Sequence, residues 1–166
     1  MAIFTWKNAP VPEGMEIRQV YGIIFADDGR ILLLTENETD HIKYSLAGGR
    51  PEAYDKDMED TCRRELIEEI NTTIHTPIYV GYQRVDEEDG TPPYAQVRMA
   101  AMIQSVGPIR PDPDNGQTYG RFLTAPDRAA VLLNWGEVGE KQIRRAAEMM
   151  KNQFGVTLNN TLEEYI

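Results

Sequence analysis

The stretch of sequence that decides the fold is LAGGRPEAYDKDMEDTCRRELIEEINTT, residues 46–73. Its second half, from Asp57 to Ile70, contains good helix formers and neither glycine nor proline, and therefore predicts a helix. Asn71 tolerates the left-handed conformation that closes many helices. The apolar residues recur every fourth position and form one stripe that faces a core: Met58, Cys62, Leu66 and Ile70. The pattern predicts an amphipathic helix packed on a sheet or on other helices.

Three glutamates share a second face of this helix, because Glu65, Glu68 and Glu69 stand at i, i+3 and i+4. Like charges at this spacing are unfavourable by a few tenths of a kcal/mol per pair. The glutamates also lie near the C-terminus of the helix, where the negative end of the helix dipole disfavours each carboxylate by roughly 0.3–1 kcal/mol. A divalent cation would reverse both effects, and oxygen ligands suit Mg²⁺ or Mn²⁺. Arg64 can pair with one of the carboxylates and fix its orientation. On the helix alone, a solvated acidic face is an equally good interpretation.

The double glycine Gly48-Gly49 before the helix favours the metal site over the solvated face. Glycine lets the backbone approach a ligand closely and expose its polar groups. A carbonyl of this loop, which we expect to span Ser45 to Glu52, can complete a metal shell, and the helix N-terminus can receive a phosphate.

The rest of the chain predicts a mixed α/β (α+β) fold in one domain, residues 1–166. The length of 166 residues and an apolar fraction of 41% suffice for one core. Runs of apolar residues predict a hairpin of two strands, three later strands and two further helices, which together favour a mixed sheet with helices on its faces. The predicted elements are Val20–Phe25, Ile31–Leu34, Pro77–Val85, Tyr94–Val106, Tyr119–Leu123, Pro126–Leu133 and Val138–Phe154.

Charge and cysteine content limit the classes of function. Lysine and arginine number 17 against 27 aspartates and glutamates, a net charge of −10 without a basic stripe. Such a chain repels nucleic-acid polymers and anionic membranes. The single cysteine, Cys62, excludes an internal disulfide and fits a reducing compartment. With no signal peptide and no long apolar run, we expect a cytoplasmic protein.

Taken together, Gly48-Gly49-Arg50-Pro51-Glu52 and Arg64-Glu65-Leu66-Ile67-Glu68-Glu69 resemble the Nudix box of the MutT-like Nudix hydrolases. The family pattern is a glycine, five residues, a glutamate, seven residues, Arg-Glu-aliphatic-any-Glu-Glu, any residue, a glycine and an aliphatic residue. Counted from Gly49, Asp55 stands at the glutamate position and eight residues separate it from Arg64. Asn71 replaces the closing glycine. The chain therefore departs from the pattern before Arg64 and at Asn71, and keeps the Arg-Glu-aliphatic-any-Glu-Glu core.

The resemblance implies an α/β/α sandwich and a metal-dependent hydrolase. Such enzymes use water to cleave the pyrophosphate of a nucleoside diphosphate joined to another moiety, here a nucleotide sugar, ADP-ribose or a nucleoside triphosphate. It implies Mg²⁺ or Mn²⁺ held by Glu65, Glu69, Glu68 and the Gly49 carbonyl, with Arg64 orienting the glutamates. The general base stays open among Asp112, Asp114 and the glutamates of the box, since both aspartates also suit a proline-flanked turn.

Contacts with substrate are predicted for four residues. Arg50, next to the double glycine, can meet a phosphate oxygen. Arg84 and Arg98 lie in strands, where an inward arginine needs an anionic partner and a surface salt bridge is the alternative. Tyr94, like Tyr44 and Trp135, can stack on a base or serve packing.

Two questions of function and assembly stay open at this stage. A nucleotide-binding sensor without hydrolysis is one alternative function, favoured by the extra residue before Arg64, and a structural protein with an acidic helix is another. A homodimer would use the apolar residues of the last helix.

Overall fold

Ten strands and three helices make up the chain, and the computed structural model describes every residue from Met1 to Ile166. The strands are β1 (Ile3–Lys7), β2 (Ile17–Phe25), β3 (Ile31–Asn37), β4 (Ile42–Ser45), β5 (Ala47–Gly49), β6 (Thr72–Ile74), β7 (Ile78–Asp86), β8 (Tyr94–Val106), β9 (Gly120–Thr124) and β10 (Glu164–Tyr165). The helices are α1 (Met58–Ile70), α2 (Pro126–Leu133) and α3 (Gly136–Phe154). None of the helices combines the length and the apolar character that a bilayer crossing requires.

The strands form a mixed sheet in the order β1-β7-β8-β2-β3-β9-β10. The central pair, β2 and β8, runs parallel, with Val20 opposite Val97 and Tyr21 opposite Arg98. The other pairings are antiparallel, including the predicted hairpin of β2 and β3. Gly29 in its turn has φ +90°, which a residue without Cβ adopts freely.

The helices cover both faces of this sheet. The stripe of α1 packs on one face, where Cys62, Leu66 and Ile70 are buried with residues such as Val20 and Val97. α2 and α3 cover the opposite face, where Ile143 and Met150 are buried with Ile23 and Leu33. The architecture is the expected α/β/α sandwich. Because side chains alternate along a strand, Arg98, next to Val97, lies on the α3 face.

Several sequence expectations need correction. The segment expected as a glycine-rich loop contains β5, which pairs antiparallel with β2 and places Gly49 opposite Val20 and Gly48 opposite Tyr21. Strand β1, a short edge strand that pairs with β7, was not predicted from the sequence. Most of the apolar face of α3 packs against the sheet, where Ile143, Ala146 and Met150 are buried, while Phe154 at its end is exposed. The expected homodimer stays a prediction.

Caps at both ends fix α1. The Asp57 side chain accepts a hydrogen bond from the Asp60 amide at the N-terminus, and Asn71 adopts the predicted left-handed conformation at the C-terminus, with φ 45° and ψ 50°. The last turn contains no basic residue. Arg121 of β9 supplies the missing cation, because its Nη1 donates to the carbonyls of Ile70 and Gly107 at 2.9 and 2.7 Å.

Candidate active site

The fold brings five carboxylates together, which we call the carboxylate site: Glu65, Glu68 and Glu69 of α1, and Asp112 and Asp114 of the loop between β8 and β9. Carboxylate oxygens of Glu68, Asp112 and Asp114 all lie within 4.8 Å of one another. The loop thus meets the helix face, although more than forty positions separate Glu68 from Asp112 in the sequence.

The two aspartates also shape their own loop. An oxygen of Asp112, Oδ1, accepts a hydrogen bond from the Asp114 amide at 2.8 Å, as in a turn stabilised by an aspartate side chain. Asp112 is buried and Asp114 is exposed. Asp112 therefore both forms the turn and faces Glu68, so the two interpretations of this residue are compatible. The choice of general base between the two aspartates stays a prediction.

Arg64 is the central cation of the site. Its guanidinium makes a bidentate pair with Asp55, at 3.1 Å from Nε and 2.9 Å from Nη2. Its Nη1 donates to Glu65 Oε1 at 3.0 Å and to Glu68 Oε2 at 3.2 Å. Nη2 also donates to the Arg50 carbonyl at 2.9 Å. Arg64 thereby orients two glutamates, as the family resemblance implies. It also connects α1 to residues 48–50, which we call the glycine segment.

Asp55, which stands at the glutamate position of the family pattern, contacts Arg64 despite the extra residue that follows it. Besides the pair with Arg64, its Oδ2 accepts hydrogen bonds from the Thr61 hydroxyl at 2.8 Å and the Glu52 amide at 2.9 Å. The hydrogen bond from Arg64 is the main reason that the pKa of Asp55 falls to about 2. Asp55 is therefore a permanent anion that holds Arg64 in place.

The double glycine lets backbone and carboxylates approach closely. The Gly48 amide donates to Glu69 Oε1 at 2.7 Å. A Cβ added at Gly49 would stand only 2.5 Å from Glu65 Oε1, so a side chain there would displace the carboxylate. Strand β5 holds both glycines in this position. The Gly49 carbonyl as a metal ligand stays a prediction.

The electrostatics of the carboxylate site fit a divalent cation. Burial is the largest cause that raises the pKa values of Glu65 and Glu68, against the opposing influence of Arg64. Burial, with repulsion from Glu65, Asp112 and Glu68, raises the pKa of Glu69 to about 8 despite the Gly48 hydrogen bond. Several carboxylates thus compete for one guanidinium, and an oxygen-only donor set of this kind suits Mg²⁺ or Mn²⁺.

The raised pKa of Glu69 predicts how stability depends on pH in metal-free protein. Between its ordinary pKa of 4.5 and about 8, the folded chain keeps a proton on Glu69 that the unfolded chain has lost. The free energy of unfolding should therefore fall by up to a few kcal/mol as the pH rises through this window. Urea titrations in a chelator at pH 5 and pH 8 measure the change. Added Mn²⁺ should stabilise the protein more at pH 8 than at pH 5.

Glu69→Gln supplies the control for this prediction. Glutamine does not titrate, so the variant should lose most of the decrease in stability between pH 5 and pH 8. An equal decrease in the variant and the wild-type protein would contradict the assignment to Glu69.

A cavity of about 610 Å³ on the α3 face adjoins the glycine segment, and we call it the Arg98 cavity. Tyr21 lines this cavity and is also close enough to the carboxylate site to feel its charges. Burial is the main cause that raises the pKa of Tyr21, the positive charge of Arg98 opposes the rise, and the negative charges of Glu69 and Glu65 add to it. The lining consists of aromatic and apolar side chains with a few polar ones: Phe4, Tyr21, Lys43, Tyr44, Ser45, Leu46, Gln83, Gln96, Arg98, Trp135 and Val138.

Arg98 is buried at this cavity, with 2% of its surface exposed. The carboxylate partner expected for an inward arginine is absent. Instead the guanidinium carbon lies 4.8 Å from the Tyr21 ring centroid and 5.4 Å from that of Trp135, and Nε donates to Gln142 Oε1 at 2.7 Å. The predicted substrate residue is therefore in a position to meet a ligand.

The other predicted substrate residues are placed differently. Arg50 is exposed beside the double glycine, and its carbonyl binds Arg64. Nη2 of Arg84 lies 3.6 Å from Oδ2 of Asp86, and Arg84 does not line the cavity. Its neighbour Gln83 does, because successive side chains of β7 point to opposite faces of the sheet. The Tyr94 hydroxyl donates to Glu87 at 2.6 Å, away from the cavity. The structure does not bring Arg84 and Tyr94 to the site, because strand alternation and register direct them elsewhere.

Sequence reasoning missed Tyr21 and the glutamines around Arg98. Gln96 and Arg98 alternate with buried apolar residues in β8, and Gln142 lies on the buried face of α3. A polar residue on an otherwise apolar face was the available signal. Their convergence from different elements had no counterpart in the sequence.

Comparison with protein families gives one match. The family model described as the NUDIX domain matches residues 15–143, which include all five members of the carboxylate site and Arg98. None of the curated proteins compared with the chain matches it.

Solved structures share the fold. The NUDIX hydrolase from Nitrosomonas europaea is 19% identical, with 78% of this chain and 87% of that chain covered and a TM-score of 0.60. The pyrophosphohydrolase BsRppH from Bacillus subtilis is 18% identical, with 93% of each chain covered and a TM-score of 0.68. The Ap4A hydrolase of C. elegans is 17% identical, with coverages of 82% and 99% and a TM-score of 0.51. At these identities the likeness shows the fold alone.

Proposed function

The chain belongs to the Nudix family, and from this premise we propose that it hydrolyses the pyrophosphate linkage of a nucleoside diphosphate joined to another moiety, with Mg²⁺ or Mn²⁺. The carboxylate site supports the proposal most directly, since it combines five acidic side chains, a double glycine that lets the backbone approach them closely, and an adjacent cavity. Two of the similar structures are named as a pyrophosphohydrolase and an Ap4A hydrolase, which agrees with cleavage of a phosphate anhydride.

The metal would be held by Glu65, Glu69, Glu68 and the Gly49 carbonyl. When bound, a divalent ion supplies positive charge to the diphosphate oxygens and lowers the pKa of a coordinated water. Arg64 holds Glu65 and Glu68 in fixed orientations through its Nη1. This preorganisation means that the carboxylates need little rearrangement when substrate binds.

The proton of the attacking water needs an acceptor near the helix glutamates. Asp112 and Asp114 both reach Glu68, and each is a candidate general base alongside the glutamates themselves. Arg50 is exposed beside the double glycine, and it would meet a phosphate oxygen of the substrate. The Arg98 cavity would receive the part of the substrate beyond the reacting diphosphate.

The overall charge favours a small substrate. A net charge of −10 disfavours a nucleic-acid polymer or a membrane surface as partner. We therefore propose a small nucleotide: a nucleotide sugar, ADP-ribose or a nucleoside triphosphate. Cys62 is buried and burial raises its pKa to about 12, which makes it an inert thiol. A cytoplasmic location stays a proposal, based on the single cysteine of the chain. The homodimer stays a prediction, to be tested by light scattering.

A nucleotide sensor without hydrolysis is the alternative function. The extra residue before Arg64 favoured it in the sequence. In the structure Asp55 still makes a bidentate pair with Arg64, so the insertion no longer supports a sensor.

A substrate screen tests the proposal. We expect phosphate-anhydride cleavage of at least one compound among nucleotide sugars, ADP-ribose, dinucleoside polyphosphates and nucleoside triphosphates, with activity that depends on Mg²⁺ or Mn²⁺. Products are followed by chromatography and released phosphate. Saturable binding without cleavage of any compound would favour the sensor and refute the hydrolase.

A further inference from the structure

Arg98 is a buried cation without a counter-ion in the chain. Only 2% of its surface is exposed, and its side-chain hydrogen bonds go to neutral oxygens of Gln142 and Gln96. Burial lowers its pKa to about 10, so the guanidinium stays charged at neutral pH. A buried charge of this kind is unfavourable unless hydrogen-bond acceptors satisfy it. Two neutral acceptors and the rings of Tyr21 and Trp135 surround the guanidinium, and no carboxylate neutralises its charge, so it can accept an electron-rich ligand.

Four glutamine amides continue from Arg98 in a single direction. Gln142 accepts from Arg98 Nε at 2.7 Å and donates to Gln83 Oε1 at 2.8 Å. Gln83 donates to Gln96 Oε1 at 2.7 Å, and Gln96 donates to Gln19 Oε1 at 2.5 Å. Each amide oxygen in this row of hydrogen bonds is thereby turned toward Arg98. The row spreads the positive charge of Arg98 over β2, β7, β8 and α3.

This arrangement leaves one edge of the guanidinium free. Nε is used by Gln142, Nη1 makes only a long contact of 3.4 Å with the Gln96 carbonyl, and Nη2 makes no hydrogen bond. Because Arg98 lines the cavity, the free edge presents adjacent N–H donors to whatever binds there. A partner with two adjacent acceptors would match this edge.

The walls of the Arg98 cavity suit a planar ring. Tyr44 contributes aromatic surface and Leu46 an apolar face. Tyr21 and Trp135, over which the Arg98 guanidinium lies, add the ring surface that still lines the cavity. Aromatic walls stack on nucleobases and gain little from a hydrated phosphate. The second cation of the lining, Lys43, is exposed. The combination favours a base over a second anionic group.

We propose that the Arg98 cavity binds the nucleobase of the substrate and that Arg98 selects guanine over adenine. This inference rests on the proposed function, because it assigns the base to the cavity beside the reacting diphosphate. Guanine presents the adjacent acceptors O6 and N7, which pair with the two donors of an arginine edge. Adenine has an amino group in place of O6, and two donors would then face each other. The substrate class is a guanosine diphosphate joined to another moiety.

Binding of monophosphates to the wild-type protein tests base recognition apart from catalysis. Calorimetry with Mg²⁺ compares guanosine, inosine, adenosine and 7-deazaguanosine 5′-monophosphates, none of which contains an anhydride bond. We expect the guanosine and inosine compounds to bind roughly 5- to 150-fold more tightly than the adenosine compound. The 7-deaza compound, which lacks the N7 acceptor, should fall between. Equal affinities for guanosine and adenosine compounds, or no saturable binding of any, would overturn the proposal.

Two conservative variants locate the selectivity. Arg98→Lys keeps the positive charge but loses the planar pair of donors, so the preference for guanosine should fall toward unity. The matched control is Arg18→Lys on β2, where the arginine packs on the Tyr94 ring outside the cavity, and this variant should keep the wild-type preference. If Arg98→Lys does not fold, the 7-deaza comparison in the wild-type protein decides.

The two proposals fail in different ways. If the wild-type protein turns over substrate but binds the guanosine and adenosine compounds equally, the role of Arg98 is refuted and the hydrolase stands. Absence of turnover on every substrate with a clear guanosine preference refutes the hydrolase and leaves the role of Arg98.

Discussion

Glu69→Gln should lower turnover of the best substrate by at least about 100-fold while the protein stays folded. Glutamine has nearly the same shape, and its carbonyl oxygen can still accept the Gly48 hydrogen bond that Glu69 receives. The variant removes the negative charge that we assign to the metal. Steady-state kinetics over a range of Mn²⁺ concentrations measures the loss, and circular dichroism confirms the fold.

Glu59→Gln is the matched control on the same helix. Glu59 lies in the first turn of α1 and forms a half-exposed pair with Arg63 outside the carboxylate site, so its loss should change turnover by less than about twofold. Full activity in Glu69→Gln would refute the assignment of the site. Unfolding of Glu69→Gln is not expected, since a neutral side chain removes the burial cost and the carboxylate repulsion that together raise the pKa of Glu69.

Arg64→Leu should have the largest effect on stability, a loss of about 3–5 kcal/mol in the free energy of unfolding. The substitution leaves Asp55 without its bidentate partner, and the Asp55 side chain is only 5% exposed. Glu65 and Glu68 lose the cation that orients them. Turnover should fall as well, because the carboxylates would no longer be held for the metal. Urea denaturation and steady-state kinetics measure the two effects.

The neighbouring arginine offers the comparison. Arg63 pairs with Glu59, and its side chain is 35% exposed, so Arg63→Leu should cost less than about 1–2 kcal/mol. Adding Asp55→Leu to Arg64→Leu should recover part of the stability by removing the unpaired carboxylate, without restoring turnover. If Arg63→Leu and Arg64→Leu were equally destabilising, the central place of Arg64 in the network would be wrong.

Helix α1 shows how far local sequence reasoning extends. The apolar stripe and the Asn71 terminus are properties of consecutive residues, and each is found in the structure. The helix begins one residue later than predicted, because Asp57 caps it instead of joining it. The face shared by Glu65, Glu68 and Glu69 follows from helical periodicity alone. The compensation at the helix C-terminus does not, because Arg121 reaches it from β9.

Strand β5 and the substrate residues show where such reasoning ends. Gly48 and Gly49 predict a loop by composition, and only pairing with β2 makes them a strand. Arg84 and Arg98 look alike in sequence, and the register of β7 and β8 directs one to Asp86 and the other into a cavity. Which of the two arginines reaches the cavity is decided by the tertiary structure, because the sequence does not indicate which face of the sheet each side chain occupies.

The sequence by itself determined the family resemblance, the glutamate face of α1 and the oxygen chemistry of the expected cation, because these depend on residue type and helical spacing. The tertiary structure alone decided that Asp112 and Asp114 join those glutamates, that Asp55 holds Arg64, and that amides surround Arg98. Each of these contacts joins residues from separate elements, and their approach depends on how the sheet pairs and how the helices pack on it.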